Sequence, residues 1–85
     1  MATAVITFVY NEAINLPVWR RYYGRIFGER NLFVIDHSSS DHSTDDLGEI
    51  NKLWLRREAL EERKRAVFVS SFARALLEYF KTVIH

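Results

Sequence analysis

The sequence predicts an α/β fold: a mostly parallel sheet of about four short strands with flanking helices, formed by residues 1–85 as one small domain or part of a larger one. Three observations lead there. Apolar runs of strand length alternate with stretches of helical period. The first run, Ala4 to Tyr10, is apolar almost throughout, as in a strand buried on both faces. Two polar signatures, Tyr10-Asn11-Glu12 and Asp36 to Ser43, each sit where such a run ends.

The elements follow in order. Ala4 to Tyr10 is the first strand, rich in β-branched and aromatic residues. Asn15 is a suitable N-cap for the next helix, and Pro17 suits its first turn, where an amide would be unpaired. Leu16, Trp19, Tyr23, Ile26 and Phe27 recur at helical spacing as one apolar stripe, and Gly28 is placed to close the helix in a left-handed conformation. Asn31 to Asp36 is the second strand. After it, Ser43-Thr44-Asp45-Asp46 has the composition to cap a short helix ending near Gly48. Lys52 to Leu55 reads as a third strand. The charged stretch Arg56 to Arg65 leads into a helix whose buried face is Val69, Phe72, Ala73, Leu76, Leu77 and Phe80, and Thr82 to Ile84 begins a fourth strand.

Composition excludes several classes. With 48% hydrophobic and 14% aromatic residues the chain has the makings of a folded core, and part of so large an apolar load is expected to lie exposed. Twelve basic against eleven acidic residues give a net charge of +1, so no global field recruits nucleic acid. The absence of cysteine excludes disulfides and thiolate metal sites. No apolar run approaches the roughly 20 residues of a membrane span, and Met1-Ala2-Thr3 lacks the basic region of a signal peptide. The expectation is a cytoplasmic location, with any membrane association through parts outside this chain. Glycine occurs only at positions 24, 28 and 48, which removes phosphate-loop, dinucleotide-fingerprint and hydrolase-elbow motifs.

In parallel sheets ligands bind outside the carboxyl ends of the strands, so the two polar signatures belong near each other. Asp36 and Asp41 can accept hydrogen bonds from a base or a ribose hydroxyl, and Ser38, Ser39 and Ser40 can donate to phosphate or sugar oxygens. The same residues also suit an Asx or Ser turn that bonds its own backbone, and both readings stand at this point. His37 and His42 among Asp36, Asp41, Asp45 and Asp46 lack any recognised metal-ligand spacing. Arg63 or Lys64, near a helix N-terminus, could meet a diphosphate; the alternative is a solvated face compensated by Glu58, Glu61 and Glu62. The aromatic set Trp19, Tyr22, Tyr23, Phe27, Trp54, Phe68, Phe72, Tyr79 and Phe80 reads as mostly core.

Phe8-Val9-Tyr10-Asn11-Glu12 followed by Asn15-Leu16-Pro17-Val18-Trp19 resembles the opening of family-2-like glycosyltransferases. Asp36-His37-Ser38-Ser39-Ser40-Asp41-His42-Ser43 is similar to the motif ending their second strand, and Arg63 to Ile84 to the helix and strand before their Asp-x-Asp motif. The resemblance covers essentially the whole chain. It implies a partial GT-A, Rossmann-like fold that binds a nucleoside-diphosphate sugar, with Tyr10 and Glu12 at the base and ribose, Asp36 on the base edge and Asp41 shaping the same pocket. With Asn11, Ser39 and Lys64, these make up the expected substrate-binding set.

The family's acidic motif holds Mg²⁺ or Mn²⁺ against the diphosphate, and in inverting members a later carboxylate deprotonates the acceptor. The resemblance places both beyond His85. The chain is therefore expected to be the donor-nucleotide-binding half, without catalytic or metal-ligating residues and inactive alone. It would associate with the remainder of its domain or with itself. Ser38 and His42 stand where the family has glycine, so the loop is expected to be shaped differently. The alternative from another class is a non-catalytic nucleotide-binding or interaction module. A phosphotransfer receiver fits poorly, since the first strand offers only Glu12.

Overall fold

The computed structural model describes residues 2–56 and 62–85. The chain forms β1 (Thr3–Val9), α1 (Asn15–Phe27), a 3-10 turn at Glu29–Asn31, β2 (Leu32–Asp36), β3 (Asn51–Trp54), α2 (Glu62–Leu76) and β4 (Thr82–Ile84). All strand pairs are parallel, in the order β3-β2-β1-β4. The α/β class expected from the sequence is the one observed.

Alternation along the two central strands divides the core into two layers. Val5 and Val9 of β1 and Leu32 and Val34 of β2 face α1, where Leu16, Trp19, Tyr23 and Phe27 close over them with Leu47 and Ile50. Ala4 and Ile6 of β1, with Phe33 and Ile35 of β2, face Phe68, Val69, Phe72, Ala73 and Leu76 of α2. Phe33 meets Phe72 and Phe80 edge-on, each at 5.8 Å between centroids. Both faces of β1 and β2 are covered, which is why these strands carry almost unbroken apolar runs.

The order of strands reverses at β1. The chain winds outward from β1 to β2 to β3, then crosses by α2 on the opposite face to β4, on the other side of β1. A crevice at such a reversal, outside the carboxyl strand ends, is where open α/β sheets take ligands.

The elements differ from the sequence expectations at identifiable places. β1 starts at Thr3 and ends at Val9, with Tyr10 in a bend. Ile14 is the cap of α1, without a side-chain bond, and Asn15 is its first helical residue. Gly28 leaves α1 with φ 87° but an extended ψ of 138°, not a left-handed helical cap. Residues 43–48 form turns and no helix. There Asp41 accepts from the Ser43 amide at 3.0 Å and Asp46 from the Gly48 amide at 3.4 Å, side-chain bonds that compete with helix formation. The third strand is shifted by one residue to Asn51–Trp54 and is exposed along its length. Leu77, Ile26, Tyr22, Trp54 and Tyr79 are exposed, contrary to the core expectation, and Phe80 packs on the core from beyond the end of α2. Of the charged stretch, Arg57, Glu58 and Glu61 lie outside the described residues.

One ion pair ties α1 to the connection that follows it. Arg20 donates to both carboxylate oxygens of Glu29, at 2.7 and 3.1 Å, and to the Asp46 carbonyl at 3.3 Å. Gly48, at φ 58°, leaves room for this guanidinium, since a Cβ there would lie 3.0 Å from it. The hydrogen bonds from Arg20, and then its charge, hold the Glu29 carboxyl below its usual 4.5. A carboxyl lowered on folding stabilises the fold fully above its unfolded value, and that contribution is lost as pH falls through the lowered folded value. Urea midpoints measured between pH 7 and pH 3 should therefore fall less steeply in Glu29→Gln than in the parent.

Candidate functional site

The site is built from the register of the central strands. Val9 pairs with Asp36, so the loops after β1 and β2 leave the sheet side by side. The His37 amide donates to the Val9 carbonyl at 2.8 Å, carrying the ladder one residue further. On the other side of β2, the Leu55 amide donates to the Asp36 carbonyl at 2.7 Å.

Asp36 is 1% exposed, and each of its carboxylate oxygens has a partner within the loop. Oδ1 accepts from the Ser39 amide at 2.8 Å, and Oδ2 accepts the hydroxyl hydrogen of the buried Thr44. The Thr44 carbonyl in turn accepts from Lys52 Nζ at 3.0 Å, which joins the loop to β3. In this arrangement Asp36 acts as the anchor of the loop.

Asn11 joins the two signatures. Its amide donates to Ser39 Oγ at 2.9 Å, and its Oδ1 accepts from the amides of Ser40 and Asp41 at 2.8 and 3.2 Å. Glu12 starts the next element: its carbonyl accepts from the Leu16 amide at 2.9 Å, and its carboxylate from Asn15 Nδ2 at 3.0 Å.

Among the described residues three non-glycine residues have left-handed backbone, Asn11 (φ 52°), Ser38 (φ 65°) and His42 (φ 64°), and all three lie in these two loops. Concentrated strain of this kind is a feature of functional sites. Ser38 and His42 adopt a positive φ that glycine would reach at less cost. Ser38 is held by its hydroxyl, which donates to the Leu55 carbonyl at 2.6 Å. His42 Nδ1 lies 2.7 Å from Asp45 Oδ2.

Hydrogen bonds thus link Asn11, Asp36, Ser39 and Asp41, with Tyr10 and Glu12 flanking Asn11 in the chain and the Glu12 carboxylate bonded to Asn15. Lys64 is exposed on α2 and makes no hydrogen bond or ion pair with the loops among the described residues. Its neighbour Arg65 instead lies over the Phe8 ring at 5.4 Å, and the buried His37 ring meets Phe8 edge-on at 5.4 Å. Sequence reasoning missed Thr44, whose role depends on a partner eight residues earlier, and the linking role of Asn11.

The chemistry available follows from this accounting. The amides of residues 39, 40, 41 and 43 already donate to the chain's own side chains, so these four are not free to cradle a phosphate. The exposed side chains at the strand ends are the Tyr10 ring, the Asn11 side-chain amide, Ser40 and Asp41. Hydrogen bonding from Ser43, whose amide donates at 3.0 Å, holds the Asp41 carboxyl below its usual 3.8. At neutral pH it can accept hydrogen bonds from hydroxyl or N–H donors. Among the described residues no group of three His, Cys, Asp or Glu is placed to hold a metal ion, so the donor set does not fit a divalent cation.

Two stability measurements test this construction. Thr44→Val leaves a buried Asp36 oxygen without its donor and should cost about 1–3 kcal/mol in denaturant unfolding. His42→Gly should stabilise by at most about 0.5 kcal/mol, the left-handed penalty less the added freedom of glycine in the unfolded chain and the lost exposed contact to Asp45.

Comparison with protein-family models, with curated proteins and with solved structures finds no match to this chain.

Proposed function

We propose that this chain is the donor-nucleotide-binding half of a family-2-like glycosyltransferase domain, whose whole transfers a sugar from a nucleoside-diphosphate donor to an acceptor. The observation that carries this reading is the junction made by Asn11. It joins two polar loops at the carboxyl ends of adjacent central strands, beside the reversal of strand order at β1.

In this reading the Tyr10 ring packs on the base, and Glu12 and Asp41 accept from ribose or base donors. Asp36 is a positioning residue that fixes the loop through Ser39 and Thr44. A base N–H reaches it only if the Thr44 hydroxyl gives way. Asn11 and Ser39 hold the two loops in register, and Lys64, exposed near the start of α2, is the basic side chain offered to the diphosphate. By the resemblance, the Mg²⁺ or Mn²⁺ that offsets the diphosphate's charge would be held by the family's acidic motif and not by Glu12, Asp36 or Asp41. The chain itself supplies no catalytic group.

Calorimetric titration with UDP and GDP, with and without Mn²⁺, tests the proposal. One nucleotide should bind without dependence on metal, and Asn11→Ala should weaken it tenfold or more in a chain whose circular dichroism is unchanged. A folded chain that binds neither nucleotide would instead be an α/β interaction module.

A further inference from the structure

The outward face of α1 has a composition that neither the core nor the strand-end loops account for. Ile14, Val18, Tyr22 and Ile26 recur at every fourth position and are 82, 64, 60 and 55% exposed. Such a row forms a continuous ridge along a helix. Arg21 and Arg25 lie along one flank of it, and α1 contains no acidic residue at all. The other arginines of this region are compensated, Arg20 by Glu29 and Arg30 by Glu49, each at 2.7 Å. Among the described residues no carboxylate pairs with Arg21 or Arg25. Between these two arginines and Val18, Tyr22 and Ile26 lies an open recess of about 340 Å³, cationic on one side and apolar on the other.

We propose that this face of α1 docks on a membrane surface carrying anionic phospholipid. Lipid phosphates meet Arg21 and Arg25, while Ile14, Val18, Tyr22 and Ile26 lie at the level where headgroups give way to acyl chains. A helix with an apolar row, basic flanks and an amphipathic aromatic suits that boundary. A second copy of the chain fits less well, because a symmetric contact of α1 on α1 sets each cationic flank near its own kind. A folded acidic partner also fits less well, because the face is a ridge with an open recess and lacks the enclosed pocket that anchors a hot-spot side chain. The mode is surface contact, since among the described residues no helix is long and apolar enough to cross a membrane.

The test is co-sedimentation of the whole chain with vesicles of phosphatidylcholine alone or with one third phosphatidylserine, at low and high salt. Binding should require phosphatidylserine and weaken at high salt. Arg21→Gln with Arg25→Gln should lower partitioning about 30-fold, at roughly 1 kcal/mol for each basic residue near an anionic surface. Val18→Asn with Ile26→Asn should weaken it independently of salt. Both variants alter exposed side chains, and circular dichroism verifies that they fold. Equal binding to neutral vesicles, no binding, or binding unchanged in both variants would overturn the proposal. So would light scattering that shows a dimer lost in the apolar variant, which assigns the ridge to a second copy. Saturation by an acidic amphipathic peptide, in a chain that ignores vesicles, would assign it to a protein and overturn the lipid reading. Nucleotide titration of the same variants should be unchanged, so this proposal and the nucleotide-binding one stand or fall separately.

Discussion

Burial of the Asp36 carboxylate at the end of β2 is the constraint around which the carboxyl edge of this protein is organised. A charged group out of water must have its hydrogen bonds made for it, and here both oxygens are answered by the loop that follows. Ser39 is drawn back toward the strand and Thr44 is drawn under it. The intervening residues then have to turn sharply, which is why Ser38 and His42 adopt left-handed backbone without glycine. Asn11, itself left-handed, reaches across from β1 and accepts from two amides of that turn. The loops on two strands therefore behave as one unit, and an exposed Asp41 is presented from a base that is itself buried.

This arrangement bears on the choice between a ligand site and a self-satisfied turn, since the loop has properties of both. The amides of residues 39, 40, 41 and 43 are satisfied internally, as in a turn, and this leaves Ser40 and Asp41 exposed on a fixed frame. Pre-organisation of this kind lowers the ordering cost of binding. Recognition would then rest on side chains, with negative charge predominating, and would favour hydroxyl and N–H donors over bare phosphate.

The legible parts of the sequence were those where burial leaves a periodic or continuous pattern. β1 and β2 could be read because both faces are covered, and the stripe Leu16, Trp19, Tyr23 and Phe27 because one side of α1 is. Ile26 and Leu77 misled for the same reason, since an apolar residue at helical spacing looks alike whether it faces the core or solvent. Residues 43–48 misled differently. Ser-Thr-Asp-Asp is suited to a helix cap and to Asx turns alike, and contacts made at a distance, Thr44 to Asp36 and Arg20 to the Asp46 carbonyl, accompany the turn form. In the candidate site, Asp36 and the Tyr-Asn-Glu signature stood out because polar residues interrupt apolar strands. Lys64 was inferred from helix polarity alone, which says nothing about where a long flexible side chain points.

The order of strands also has a kinetic meaning. β1 is made first and ends up central, yet its two neighbours come from opposite ends of the remaining chain. β2 is contributed soon after it, whereas Thr3 waits for Thr82. Closing so long a loop is entropically slow, and contacts far apart in sequence form late. Until residues 82–84 arrive, the apolar edge of β1 on that side is an open template for any other strand in reach. The strand that organises the finished sheet is thus also the one most exposed to mispairing during synthesis.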